Sequence, residues 1–346
     1  MSDFSNKSIS EIKSVLINTL AKAQKPNGEF ETFAATTDGH YFYIGESPFA
    51  TAHISYLLND IVDEHAKRIV DKSVSFFEQI DSTEERIYKY WYGHTTGTSF
   101  PLLPFDLDDT SVVNQTLALQ KRKTVDFTIL MNNRSSRKLF YTWLKPSLKT
   151  VVKYPNLTHV FAEYFKMYPI FLKNSDGLYM AEYNDSEIIV RMNVYIMLAL
   201  MGKDISIADN YFPFAIADVQ QELKSSLHYN NAAMYYLTLA KFQRHTSYFK
   251  QERVDKMALQ IRAYIKQLEG ADSFANITAL YLSLLFIGKL TPADEQDYLA
   301  VIKNSNFENA TFKICVGNKK FKEYHEYCSV EFTMAMAVRL LGAIKQ

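Results

Sequence analysis

The amino-acid sequence predicts an all-α fold, and three observations carry that prediction. Apolar residues recur at three- and four-residue spacing along most of the chain. No alternating apolar/polar run of useful strand length interrupts them. The 11 glycines and 9 prolines fall as turn signals between the periodic segments. On this pattern helices are expected over Ile9–Ala23, Pro48–Ile61, Ala66–Ile80, Thr110–Gln120, Val190–Met201, Ala232–Phe242, Arg253–Leu268, Phe274–Ile287, Pro292–Lys303 and Ser329–Ile344. The first follows Ser8 and Ser10, whose hydroxyls suit an N-cap because they accept from the open N–H groups of a first turn. The apolar runs Val194–Met201 and Ile277–Ile287 are about half of the roughly 20 residues that span a bilayer, so they read as buried helices.

Composition narrows the function. Across 346 residues, 38 Lys+Arg balance 38 Asp+Glu, and this neutrality argues against nucleic acid, whose phosphates need a basic face. Hydrophobic residues at 47% and charged residues at 22% describe a well-cored globular chain. The polar start MSDFSNKSIS lacks the apolar segment of a secretory signal, and the two cysteines, Cys315 and Cys328, form no disulfide framework. A cytoplasmic protein is expected. Aromatic residues reach 14%, with 24 Phe and 23 Tyr but 2 Trp. They fill a large core or line a cavity.

A weak internal repeat sets the architecture. The segment Ala21-Lys-Ala-Gln-Lys-Pro-Asn-Gly-Glu-Phe30 ends a helix, turns at Asn27-Gly28 and then presents an aromatic. Ile170-Phe-Leu-Lys-Asn-Ser-Asp-Gly-Leu-Tyr179 repeats it around Asp176-Gly177, and Val301–Ala310 resembles a third copy without glycine. Each copy leads through a loop into an apolar helix. Helical hairpins of this kind bury their apolar faces only by stacking on neighbours. Closed into a ring they form an α/α toroid around a central cavity, although an open solenoid satisfies the same local pattern. With no Ser/Pro/Gly-rich linker in the chain, residues 1–346 are expected to form a single domain.

The most informative segment is Pro101-Leu-Leu-Pro-Phe-Asp106-Leu-Asp108-Asp109-Thr110-Ser111, which brings three carboxylates to the start of an apolar helix. Were Asp109 or Thr110 to cap that helix, the other carboxylates would lie near its positive end. Three chemistries fit: a solvated capping turn, a site for a hard cation such as Mg²⁺, or a general acid. Crowded carboxylates cannot all ionise cheaply, so one retains its proton, the more so in a dry aromatic cavity.

Asp106-Leu-Asp-Asp-Thr-Ser111 resembles the DxDD(T/S) motif of class II terpene cyclases, the group containing squalene–hopene cyclase. The resemblance implies protonation-initiated cyclisation of a linear isoprenoid or isoprenyl diphosphate. Asp108 would be the general acid, and Asp106 and Asp109 would orient and polarise it. Gln24…Asn27-Gly28…Phe30 is similar to the Gln–Trp repeats of that family, with Phe and Tyr replacing Trp. Gly45-Glu-Ser-Pro-Phe-Ala-Thr-Ala52, Glu187-Ile-Ile-Val-Arg-Met-Asn193-Val-Tyr195 and Tyr327-Cys-Ser329-Val-Glu-Phe-Thr333 resemble segments of bacterial single-domain members of the wider prenyltransferase toroid superfamily. In the second of these, Arg191 stands where the family carries Asn, and it would pair with an aspartate or bind a diphosphate.

Such chemistry needs a dry acid and π-faces beside successive cations, each contact worth roughly 0.5–2 kcal/mol. The substrate-binding residues expected are Phe49, Trp91, Tyr92, His94, Phe105, Trp143, Arg191, Asn193 and Tyr229, with His94 as a hydrogen-bond partner for one aspartate. Tyr90, Phe100 and Phe140 are further aromatic residues near the motif. No cofactor or metal ligand set is assigned, the Asp-x-Cys pair of zinc-dependent relatives being missing beside His325 and Cys328. Mg²⁺ would enter only with a diphosphate substrate. The partner expected is a small apolar isoprenoid, in a chain that closes its cavity alone or as a homodimer. The alternative function is a non-catalytic toroid that binds an isoprenoid-like ligand or a protein. A carbohydrate-processing toroid with paired acids is a third.

Overall fold

In the computed structural model of the chain, the described residues are 4–36, 41–81, 83–90, 92, 105–136, 138–145, 147–166, 186–206, 219, 223, 226, 229–268, 274–305, 307, 310–316 and 325–344. Among them run thirteen α-helices: α1 (Ile9–Ala23), α2 (Pro48–Leu58), α3 (Glu64–Ile80), α4 (Leu107–Leu119), α5 (Phe127–Asn132), α6 (Leu148–Lys153), α7 (Thr158–Lys166), α8 (Ile188–Leu200), α9 (Ala232–Thr246), α10 (Gln251–Gln267), α11 (Phe274–Phe286), α12 (Pro292–Lys303) and α13 (Val330–Leu341).

Six of these helices differ from the rest in burial. Along α2, α4, α8, α9, α11 and α13 nearly every residue is buried, on all faces of the helix. A helix that is apolar all round is stable only when other elements surround it. By contrast α1 buries one stripe, Ile12, Leu16, Ile17 and Leu20, and α3 another, Ala66, Ile69, Val70, Ser73, Val74, Phe76 and Phe77. Helix α10 does the same with Val254, Met257, Ala258 and Ile261.

The packing follows from this division. Helix α2 packs on α4, α4 on α8, α8 on α9, α9 on α11, α11 on α13, and α13 returns to α2. The inner helices therefore form a closed ring. The amphipathic helices lie outside it, α1 on α3 and α13, α3 on α2, and α10 and α12 on α11. Ring closure selects the α/α toroid over the open solenoid.

The hairpin signal has a clear structural meaning. Gly28 adopts φ +98°, and a Cβ there would overlap the Lys72 carbonyl of α3. Buried Gln24 donates from Nε2 to the Gly28 carbonyl at 2.9 Å and to the Ile69 carbonyl at 2.9 Å, joining α1, the turn and α3. The Phe30 N–H donates to Thr51 Oγ1 at 2.9 Å, and the Ser47 N–H to Glu29 Oε1 at 3.1 Å, which fixes the turn to the start of α2. The repeat at Asp176-Gly177 and Tyr179 lies outside the described residues.

Two features depart from the helical reading. The short helices α5, α6 and α7 fall in a region without a strong period. A small antiparallel sheet also forms, with strands β1 (Thr32–Thr36), β2 (Tyr41–Ile44), β3 (Phe312–Val316) and β4 (His325–Ser329) in the order β2-β1-β4-β3. Its central pairing sets Phe33 opposite Cys328 and Thr36 opposite His325, so the two ends of the chain meet just where α2 and α13 close the ring. Strands this short leave no alternation to read. Ser329, at the end of β4, caps α13 by accepting from the Phe332 N–H at 3.1 Å.

Candidate active site

Asp106, not Asp109 or Thr110, caps α4. Its backbone is extended, and its carboxylate accepts from the Asp109 N–H at 2.8 Å. The helix therefore begins at Leu107, and Asp108 and Asp109 lie in its first turn, at the positive end of its dipole. Backbone pairing on both sides anchors the cap. The Asp106 N–H donates to the Tyr88 carbonyl at 3.2 Å, the Leu107 N–H to the Thr142 carbonyl at 2.7 Å, and the Leu144 N–H to the Phe105 carbonyl at 2.9 Å. Thr110 Oγ1 accepts from the Tyr88 N–H at 2.9 Å and locks the first turn to the same segment.

All three carboxylates are buried: Asp106 is 4%, Asp108 6% and Asp109 2% exposed. Burial holds the Asp109 carboxyl well above the usual carboxylate range. The charge of Asp106, the hydrogen bond shared with Asp106 and the charge of Asp108 act in the same direction. Asp109 Oδ1 has no hydrogen-bond partner. Burial first, and then the neighbouring Asp106 and Asp108 charges, favour the protonated form of Asp109.

Asp108 has a different environment. Its Oδ1 accepts from Asn193 Nδ2 of α8 at 2.8 Å, and its Oδ2 accepts from the Tyr229 hydroxyl, just before α9. Tyr229 is itself fixed: its N–H donates to Ser226 Oγ at 2.7 Å, and that hydroxyl donates to the Glu187 carboxylate at 2.9 Å. Glu187 stands at the N-terminus of α8, its own N–H donating to Thr142 Oγ1 at 3.3 Å. Hydrogen bonds of this kind favour the ionised form of a carboxylate.

Sequence reasoning named several of these residues, and the fold brings some of them together. Asn193, Tyr229 and the three aspartates meet at the N-terminal ends of α4, α8 and α9. Arg191 is buried in the first turns of α8, two residues before Asn193, and Trp143 is buried beside the strand-like pairing of Asp106. Phe49 packs against Tyr90, ring centroids 5.8 Å apart, while Tyr92 and Phe105 form a separate pair at 6.4 Å. Trp91 and His94 lie outside the described residues. Lys121 and Lys123 are exposed, as is the neighbouring Arg122.

Other buried polar residues escaped the sequence reading. Ser226 and Gln115 carried no motif. Lys241 did leave a signal, as a lone cation in the apolar run Ala232–Phe242. It is 3% exposed.

A closed ring of helical hairpins with a carboxylate triplet at the start of one inner helix defines an α/α-toroid protein. Two solved structures carry the comparison. One, a protein from Actinoplanes, matches with TM-score 0.56 and 12% identity, over 97% of this chain and 98% of its own. The other is a type II terpene cyclase from Scytonema, MstE carrying the R337A substitution, solved in complex with its substrate geranylgeranyl dihydroxybenzoate. It matches with TM-score 0.54 and 14% identity, over 96% of both chains. No protein-family model and no curated protein matches the sequence. Among the described residues, no helix is long and apolar enough to cross a membrane.

Proposed function

We propose that the chain is a class II terpene cyclase, a single toroid domain that cyclises a linear isoprenoid, with Asp108 as the general acid. The observation that carries the reading is a buried carboxyl held between Asn193 and Tyr229 on the inner ring of a terpene-cyclase-like fold. In the step proposed, the Asp108 O–H bond breaks and its electron pair stays on oxygen. The π pair of the terminal alkene forms the new C–H bond and leaves a cation on the more substituted carbon. Neighbouring alkenes close rings in turn, and loss of a C–H proton to a base regenerates a double bond, so the net change is isomerisation. Asn193 and Tyr229 stabilise the carboxylate as it forms, which is where catalysis gains most.

Asp106 and Asp109 divide the remaining labour. Asp106 caps the helix and accepts from Asp109, which keeps the local negative charge low. The raised affinity of Asp109 for its proton also supports a second assignment, in which Asp109 delivers the proton itself. Phe49, Tyr92, Phe105 and Trp143 supply apolar and π surface, with Trp91 and His94 as further members. Arg191 would meet the polar head of the substrate, a diphosphate with Mg²⁺ or an aromatic acid.

The test is incubation of the purified chain with farnesyl and geranylgeranyl diphosphates, with Mg²⁺, and with a geranylgeranylated dihydroxybenzoate. Cyclic products that vanish in Asp108→Asn and persist in Asp109→Asn support the assignment to Asp108. The reverse pattern moves the acid to Asp109. Tight isoprenoid binding with no product in the wild-type chain overturns the cyclase reading in favour of the non-catalytic toroid.

A further inference from the structure

A buried lysine amine lies among the inner helices of the ring. Lys241 projects from the penultimate turn of α9, and its Nζ donates to Gln115 Oε1 of α4 at 3.0 Å. The same Nζ sits 3.9 Å from the ring centroid of Tyr56 on α2. Among the described residues, no carboxylate lies within ion-pair distance of it. Burying an unpaired cation is costly, and a methionine or leucine would fill this space more cheaply. The cost calls for a use.

The hydrogen bonds that leave Lys241 run in one direction. Lys241 donates to Gln115 Oε1, Gln115 Nε2 donates to the Asn193 carbonyl at 3.0 Å, and Asn193 Nδ2 donates to Asp108 Oδ1 at 2.8 Å. Every donor in the series points toward the carboxyl group. The donors therefore run in sequence from Lys241 to Asp108, and the charge that Lys241 carries when protonated acts on the carboxyl through low-dielectric surroundings, where such polarisation is strong.

We propose that Lys241 is a positioning residue that strengthens Asp108 as an acid, holding Gln115 and Asn193 in register and directing its charge at the carboxylate that Asp108 leaves behind. The inference rests on the reading of Asp108 as the proton donor.

The surroundings are consistent with a charge that acts over distance. Burial lowers the Lys241 amine to about 7, with Arg244 acting in the same direction, while Asp108 opposes both. His53 on α2 is buried, its Nε2 lacks a partner, and burial followed by the charge of Lys241 keeps it neutral. His245 on α9 is likewise lowered to about 4, mainly by burial. Arg244 and Arg339 are paired with Asp60 at 3.1 and 3.0 Å. On α8 the charged residue is Arg191, and on α11 the titratable residue is Tyr281, which responds to Asp297, Asp294 and Arg262. The charge of Lys241 couples to Asp108.

The experiment titrates the Asp108 carboxyl by infrared difference spectroscopy in the full chain, with Asp108→Asn as the blank, alongside the pH profile of kcat. In Lys241→Met the Asp108 midpoint is expected to rise by about one pH unit or more. The alkaline limb of kcat should move upward with it, while kcat itself falls about tenfold or more. Lys241→Arg should restore both midpoint and limb, which a merely structural role would not require. Lys241→Gln, neutral but still able to hydrogen-bond, should behave like the Met variant and serves if that one does not fold. An unshifted midpoint in a folded Met or Gln variant overturns the proposal, whatever the activity. A shifted midpoint in a chain that makes no cyclic product upholds the coupling and overturns only the cyclase reading.

Discussion

Asn193 and Asp108 are 85 residues apart in sequence and joined by a 2.8 Å hydrogen bond across the interface of α8 and α4. With the Tyr229 hydroxyl on the other oxygen, the carboxyl group is held from α8 and from the segment just before α9. Under the proposed function, a group held this way would keep one orientation through the proton transfer, leaving little reorganisation at the moment of reaction.

Removing either donor should weaken the acid without unfolding the protein. Tyr229→Phe keeps the ring and deletes one hydrogen bond to a charged group, worth about 1.5–3 kcal/mol. The expected result is a fall in kcat of roughly ten- to a hundredfold, with a melting temperature close to that of the wild type. Steady-state kinetics and a thermal melt on the same sample check it.

Asp109 should make stability depend on pH. Its folded-state affinity for the proton is raised, chiefly by burial. Above the ordinary carboxylate range the unfolded chain has released a proton that the folded chain still holds, so stability falls as pH rises through that window. Asp109→Asn cannot ionise and retains a donor for Asp106. It should be more stable than the wild type at pH 7–8 by about 1–3 kcal/mol, and the difference should shrink toward pH 4. Melting curves across that range would refute this by running parallel.

The first hairpin turn should not tolerate a side chain. Gly28→Ala would place a Cβ against the Lys72 carbonyl at a positive φ, so either the backbone shifts or α3 moves. A loss of about 2–4 kcal/mol is expected, read as a lower urea midpoint at unchanged slope.

Gln24 should prove to be a structural residue. Gln24→Ala leaves the Gly28 and Ile69 carbonyls without their side-chain donor inside the protein. The variant should lose about 2 kcal/mol of stability while turnover per folded molecule stays the same.

The inner and outer helices were legible because their burial is written locally. The largely apolar Ile188–Leu198 run and the striped Glu64–Ile80 segment differ in pattern, and each found the position that its pattern demands. The start of α4 was misplaced because Asp106, Asp109 and Thr110 are all competent caps. The choice fell to Asp106 through its pairing with Tyr88 and Trp143, which no local rule anticipates. Helices α5 and α6, six residues each, are too short for a period to establish itself.

By itself the sequence determined the helical class, the hairpin turn at Gly28 and the carboxylate triplet. These are properties of spacing and residue type, set by steric limits and by the cost of exposing apolar surface. Tertiary structure alone decided that the hairpins close into a ring, that short strands near the two ends of the chain pair, and that Asp109 is buried beside Asp106, which raises its affinity for a proton. It also decided that Lys241, 126 residues from Gln115, joins the hydrogen bonds leading to Asp108. Those outcomes depend on which buried polar groups meet once the helices pack, and a buried donor or acceptor takes its partner from whatever lies within about 3 Å, however distant along the chain.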